Sequence, residues 1–252
     1  LLAGAELPFL NLQRFLSSRG LPVPRIHGYA AESRRLYLED FGPRHLSASP
    51  ERYPDAVDLL RLLQARTAQP DPDCMAFSRR FDEGAVLEEL DEFTAFALPA
   101  GTAPPPQLAE LAREMASLPQ GFSHRDYHGD NILVRSDGTL GMIDFQDAFL
   151  APRAYDLASL LTDREAPAAL GWDTVDHLRA RFDPSPAFER EFWLAVLQRQ
   201  LKVAGRFENL ARKGKTGYRR YLPHTWGAIR RALKRSGRRE LEGFLEDLGC
   251  FR

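Results

Sequence analysis

"FSHRDYHGDNILVRSDGTLGMIDF", residues 122–145, opens with a loop that crowds His124, Arg125, Asp126, His128, Asp130 and Asn131 together. Two apolar runs follow, 132–135 and 139–143, with Ser-Asp-Gly between them. Asp-Gly between apolar runs is a strong hairpin signal, because the tightest hairpin turns need left-handed backbone at their centre. A two-residue turn centred on Asp137-Gly138 sets Asn131 opposite Asp144 at the open end of the hairpin. Asp126 lies on the loop leading into that same end.

An Asn amide oxygen beside an Asp carboxylate is a pair of hard oxygen donors. That pair suits Mg²⁺, which takes one or two carboxylates, keeps waters and binds substrate phosphates. Asp126 is then placed to accept a proton from an attacking hydroxyl. Each of these residues alone reads equally as a turn cap; three of them at hairpin-related positions read as a site.

Outward from the hairpin, residues 5–19 carry Leu7, Leu10, Phe15 and Leu16 at helical spacing. Gly20 and two prolines end that helix, and strand-like runs follow at 25–30 and 34–39. Helices are expected at 54–66, 82–97 and 107–117, with a Pro-rich joint at 100–106 between the last two. Beyond residue 154 the pattern is mostly helical and includes one long amphipathic helix over 188–212.

Composition narrows the class. Hydrophobic residues are 44% and charged residues 27%, ordinary for a globular chain. A net charge of −1 offers no field for nucleic acid or an anionic membrane. The basic stretch Lys202, Arg206, Arg212, Lys213, Lys215, Arg219 and Arg220 has little aromatic interleaving and reads as a solvated face. Two distant cysteines fit a reducing compartment, and no apolar run is long enough to span a membrane, so a cytoplasmic setting is expected.

His124-Arg125-Asp126, four residues, Asn131, and then Ile143-Asp144-Phe145 resembles the kinase catalytic loop and its metal-binding Asp. Gln146 stands where protein kinases have Gly. Tyr155-Asp156-Leu157-Ala158 instead resembles the aminoglycoside phosphotransferase and choline kinase group. "HRDYH", "IDFQDA", "FDEGAVLEELDEF" at 81–93, "LQRQLKVAGRF" and "GYRRYLP" up to residue 223 resemble the bacterial N-acetylmuramate/N-acetylglucosamine anomeric kinases of cell-wall recycling.

The resemblance implies an α+β, protein-kinase-like fold: a remnant of the N-terminal lobe and hinge over 1–42, and a mostly helical C-terminal lobe over 43–252. It implies an ATP-dependent phosphotransferase acting on a sugar hydroxyl with Mg²⁺. Asp126 would be the catalytic base and Asn131 and Asp144 the metal ligands. Leu38, Glu39 and Phe41, in "LYLEDFG", would hold the adenine with Leu133 and Ile143. Phe81, Asp82, Glu89, His128 and Asp147 would face the acceptor. His124, Arg125 and Asp156 would brace the loop. The rivals are an aminoglycoside, choline or homoserine-type kinase, or a non-catalytic module on the same fold.

One part of such a kinase has no counterpart. The first lysine is Lys202, so no strand Lys precedes Glu6, the candidate helix Glu. The expectation is that an upstream segment carries the phosphate-covering strands, and that the chain binds ATP poorly without it.

Overall fold

The computed structural model describes residues 7–251; Glu6 lies outside them. Helix α1 (Pro8–Ser18) starts on a proline, whose missing N–H costs nothing in a first turn. It buries Leu12, Phe15 and Leu16. Strands β1 (Ile26–Ala30) and β2 (Arg35–Leu38) pair antiparallel and lead into the segment 39–42. Helices α2 (Tyr53–Arg66), α3 (Glu83–Glu92) and α4 (Pro106–Ser117) follow close to their expected positions.

Four short strands carry the site. β3 (Gln120–Ser123) pairs with β6 (Phe149–Pro152), and β4 (Ile132–Val134) pairs with β5 (Leu140–Met142), all antiparallel. Helices α5 (Tyr155–Thr162), α6 (Ala166–Leu170), α7 (Trp172–Phe182), α8 (Pro186–Arg212), α9 (Leu222–Ser236) and α10 (Arg239–Asp247) complete the chain. The mostly helical α+β layout expected from the sequence is the one observed.

Helix α8, 27 residues long and hence about 40 Å, is the spine of the helical body. It packs against α3, α5 and α9, with Phe192, Trp193, Val196, Leu197 and Leu201 fully buried. Where α3 widens into a π-type turn at Phe93–Ala97, its backbone lies directly on Gly205 of α8. A Cβ there would sit 2.3 Å from the Glu92 carbonyl carbon.

The hairpin register differs from the expected one. Ile132 faces Met142 and Val134 faces Leu140, so Asn131 faces Ile143, whose N–H donates to the Asn131 carbonyl at 3.0 Å. The turn is a three-residue loop, Ser136-Asp137-Gly138, closed by Arg135 N–H to the Thr139 carbonyl at 2.9 Å. Gly138 takes the left-handed position at φ 82°. Asp137 drives this choice: its carboxylate accepts from both the Thr139 N–H (2.9 Å) and hydroxyl (2.7 Å).

Candidate active site

A one-residue slip in register turns a strand's side chains to the opposite face. Here it is undone at Asp144, which adopts a left-handed backbone at φ 64°. The Asp144 carboxylate swings back to meet the Asn131 amide at 3.4 Å. The expected neighbours are thus brought together, by a kink rather than by pairing. Gln146 donates to the other Asp144 oxygen at 2.7 Å.

The loop before them is held from below. Asp156, in the first turn of α5, is fully buried and its carboxylate accepts three hydrogen bonds. They come from the Ser123 hydroxyl (2.9 Å), the His124 N–H (2.7 Å) and the Arg125 N–H (3.0 Å). Burial pushes the Asp156 carboxyl above its usual range, against these donors and His124. Arg125 has φ 76°, a strained backbone for a side-chain-bearing residue. Its guanidinium lies over the rings of Phe149 (4.1 Å), Tyr155 (5.1 Å) and Phe81 (5.2 Å) and pairs with Glu89. His124 is buried with neither ring nitrogen hydrogen-bonded, and burial pushes its pKa down, so it stays neutral.

Asp126 sits at the turn above this brace. Its carbonyl accepts from the His128 N–H (3.0 Å) and the Asn131 amide (2.9 Å). Its carboxylate lies 3.8 Å from the buried guanidinium of Arg199. Burial acts to raise the Asp126 pKa, but Arg199 and Lys202 together hold it below the usual carboxylate range. Arg199 is itself fixed by the Arg125 carbonyl (3.2 Å) and the Tyr155 hydroxyl (3.4 Å).

A cleft of about 480 Å³ opens beside the Asn131–Asp144 pair. Leu38 at the end of β2 and Glu39 and Phe41 just after it line the cleft, with Leu133 and Ile143 from the hairpin. Phe41 is buried against Gly141, where a Cβ would stand 2.3 Å from its ring, and the Arg135 guanidinium covers the ring at 4.6 Å. Glu39 is anchored by Arg25 and Arg135. Its N–H is used in the β1–β2 ladder, donating to the Arg25 carbonyl at 2.8 Å. Among the described residues no group of three or more His, Cys, Asp or Glu side chains could hold a metal. Asn131 and Asp144 are therefore a two-residue oxygen set.

The expected acceptor residues are largely used otherwise. Phe81 is fully buried, packed on Tyr155 and Phe149, and cannot wall an open pocket. Asp82 caps α3, accepting from the Ala85 N–H at 2.9 Å. The Glu89 carboxylate is taken up by Arg125, Lys202 (2.8 Å), Gln198 (2.9 Å) and Tyr155 (3.4 Å). His128 is folded into the loop: Nδ1 accepts from the Asp130 N–H (3.3 Å) and Nε2 meets the Asn131 amide (3.3 Å). Asp147 is exposed.

The basic stretch is exposed except at Lys202, which turns inward to pair with Glu89. Arg206 and Arg219 pair with Glu92 and Glu208 while remaining more than half exposed. Sequence reasoning missed Arg199. The available signal was Gln198, Arg199 and Gln200, buried polar residues inside an apolar stretch of α8.

The family model described as "Phosphotransferase enzyme family" matches residues 3–192. The chain is 28% identical over 255 residues to an N-acetylmuramate/N-acetylglucosamine kinase of Pseudomonas aeruginosa, covering 90% of this chain and 73% of that protein. It is 32% identical over 222 residues to a homoserine kinase of the same species, covering 77% of this chain and 66% of that one. A choline/ethanolamine kinase family protein from Mesorhizobium loti has the same fold at TM-score 0.60 and 17% identity, over 96% of this chain and 82% of that one.

Proposed function

The chain belongs to the phosphotransferase enzyme family, and from that premise we propose that it transfers the γ-phosphoryl group of ATP to an amino sugar. The acceptor is the anomeric hydroxyl of N-acetylmuramate or N-acetylglucosamine, in the reuse of cell-wall sugars. One observation carries the transfer: the cleft lined by Leu38, Glu39, Phe41, Leu133 and Ile143 ends on Asn131 and Asp144, and Asn131 is on the loop that carries Asp126. Similarity over 90% of the chain to a kinase named for these sugars supports the acceptor.

On this reading residues 1–42 belong to a partial N-terminal lobe and hinge, and 43–252 to the C-terminal catalytic lobe. Leu38, Leu133 and Ile143 supply apolar contact to the adenine faces, and Phe41 sets the position of the segment that meets its edge. Asn131 and Asp144 offer one amide oxygen and one carboxylate, hard donors that fit Mg²⁺ when phosphate oxygens and waters complete its shell. When bound, that ion neutralises charge on the phosphates.

Asp126 orients the acceptor hydroxyl and takes its proton as the new O–P bond forms and the bond to ADP breaks. Its depressed pKa keeps it a carboxylate, ready to accept. Asp156 and Arg125 position the loop. Of the acceptor residues expected from sequence, Asp147 keeps an exposed carboxylate free for a sugar hydroxyl.

The test is ATP-dependent phosphorylation by the complete gene product across amino sugars, aminoglycosides, choline and homoserine. Transfer to choline and to no sugar overturns the acceptor. Asp126→Asn should lower kcat by about 10²–10⁴-fold; a near-normal rate overturns the mechanism. Absence of Mg²⁺-dependent nucleotide binding favours a non-catalytic module. Homoserine is the second reading, favoured by the 32% identity to a homoserine kinase.

A further inference from the structure

Asn131 lines the cleft, and its neighbour Asp130 lines two adjoining cavities of about 420 and 430 Å³ that share no residue with it. The first of these is walled by Arg164 and by Lys215, Tyr218, Arg220 and Tyr221 from the turn Thr216–Tyr221 and the residue before it. Its one carboxylate, Asp130, is already matched: it pairs with Arg164 and accepts from the Ser47 hydroxyl at 2.6 Å. Lys215 and Arg220 have no carboxylate at ion-pair distance among the described residues; Arg220 donates only to the Tyr221 hydroxyl (2.5 Å). Glu165, in the second cavity, is the carboxylate whose field reaches Arg220.

The rest of the wall is aromatic and fixed in place. Tyr218 and Tyr221 pack on Phe207 of α8 with ring centroids 5.4 and 5.6 Å apart. The cavity is also wired to the reacting loop. Asp130 donates to His128, His128 meets Asn131, and Asn131 donates to the Asp126 carbonyl. A compound seated here lies against the same loop that carries Asp126.

Two unpaired cations beside a tyrosine wall disfavour a cationic acceptor such as choline or an aminoglycoside, and leave a neutral one with nothing charged to recognise. A carboxylate gains charge-assisted hydrogen bonds from both. We propose that this cavity binds a carboxylate on the acceptor, so that the compound phosphorylated is a hydroxy acid, with the tyrosines covering its apolar face. The proposal rests on the phosphotransferase reading and narrows it. N-acetylmuramate and homoserine each carry a carboxylate and a hydroxyl; N-acetylglucosamine has no carboxylate.

The experiment is equilibrium titration of the complete gene product with matched pairs: N-acetylmuramate and its methyl ester, N-acetylhomoserine and N-acetylhomoserinamide. The acid should bind at least about tenfold tighter than its neutral partner on one scaffold, the size of one charge-assisted contact. Lys215→Met with Arg220→Met should bring that ratio close to one, and Lys215→Glu should favour the neutral form. Both cations are exposed, so these variants keep the fold, which a thermal melt checks. Equal binding of acid and neutral forms on both scaffolds overturns the proposal. So does a preference that survives the double substitution. Acid preference with N-acetylhomoserine but no transfer to any sugar removes the amino-sugar reading and leaves the carboxylate site standing.

Discussion

Replacing Arg199 with Met should move the acid limb of the pH–rate profile upward. The guanidinium stands 3.8 Å from the Asp126 carboxylate. At an effective dielectric of about 20 this attraction is about 4 kcal/mol. The Asp126 side chain is 44% exposed, so water screens most of it, leaving about 1–1.5 kcal/mol of attraction that the variant loses. Lys202 also acts on Asp126 in the same direction, so the carboxylate keeps part of its depression in the variant.

The sign follows from the role. Asp126 serves as a carboxylate, so activity disappears as pH falls through its pKa. Removing the cation raises that pKa, and the loss begins at higher pH. Met fills the volume Arg199 occupies against Tyr155, which limits the packing change. The assay is kcat/KM against pH for the best acceptor, in wild type, Arg199→Met and Arg199→Lys. Lys restores a charge and should recover most of the wild-type profile. An acid limb that stays in place while the rate drops equally at all pH values refutes the electrostatic account and leaves Arg199 as packing.

Glu89 is held down to about 2: burial acts to raise it, but Lys202 and Arg125 more than offset that. A depressed carboxylate stabilises the fold above its unfolded pKa and loses that contribution as pH falls, so Glu89→Gln should cost on the order of 3 kcal/mol at pH 7. In urea melts the gap to wild type should shrink from pH 4.5 downward and close near pH 2; an equal gap at pH 3 and pH 7 contradicts it. Gly141→Ala forces a Cβ into the Phe41 ring, and should weaken nucleotide binding severalfold while costing about 1–3 kcal/mol in stability; calorimetric titration reads the first, and unchanged affinity removes Phe41 from the nucleotide reading. Gly205→Ala places a Cβ against backbone at Glu92 and Phe93, which cannot rotate away. It should lower Tm by about 4–10 °C, whereas a melt within 1 °C of wild type means the crossing relaxes.

Much of the site was legible because its signals are local. Asp137 and Gly138 announce a hairpin through their own backbone preferences, and the spacing of Asn131 and Asp144 follows from it. Even there the two-residue turn expected from the sequence is not the one that forms. The three-residue loop is selected by the Asp137 hydrogen bonds to Thr139, and the left-handed Asp144 restores the contact the register would have broken. The acceptor side was less legible. Phe81, Asp82 and Glu89 have the right chemistry to face a sugar, yet a core, a helix cap and a cluster of donors claim them.

What the sequence by itself determined is the set of elements and the polar loop between them, since apolar periodicity, turn residues and capping residues act over a few neighbouring positions. What only the tertiary structure decided is the pairing of charges. The chain has 34 Lys and Arg and 35 Asp and Glu, and nothing in their order says that Arg199 stands by Asp126, that Lys202 serves Glu89, or that Lys215 and Arg220 line a cavity with no carboxylate at ion-pair distance among the described residues. The packing of α8 against α3, α5 and the turn Thr216–Tyr221 sets those positions, and attraction between charges becomes specific only when burial fixes the distance and removes the water that would screen it.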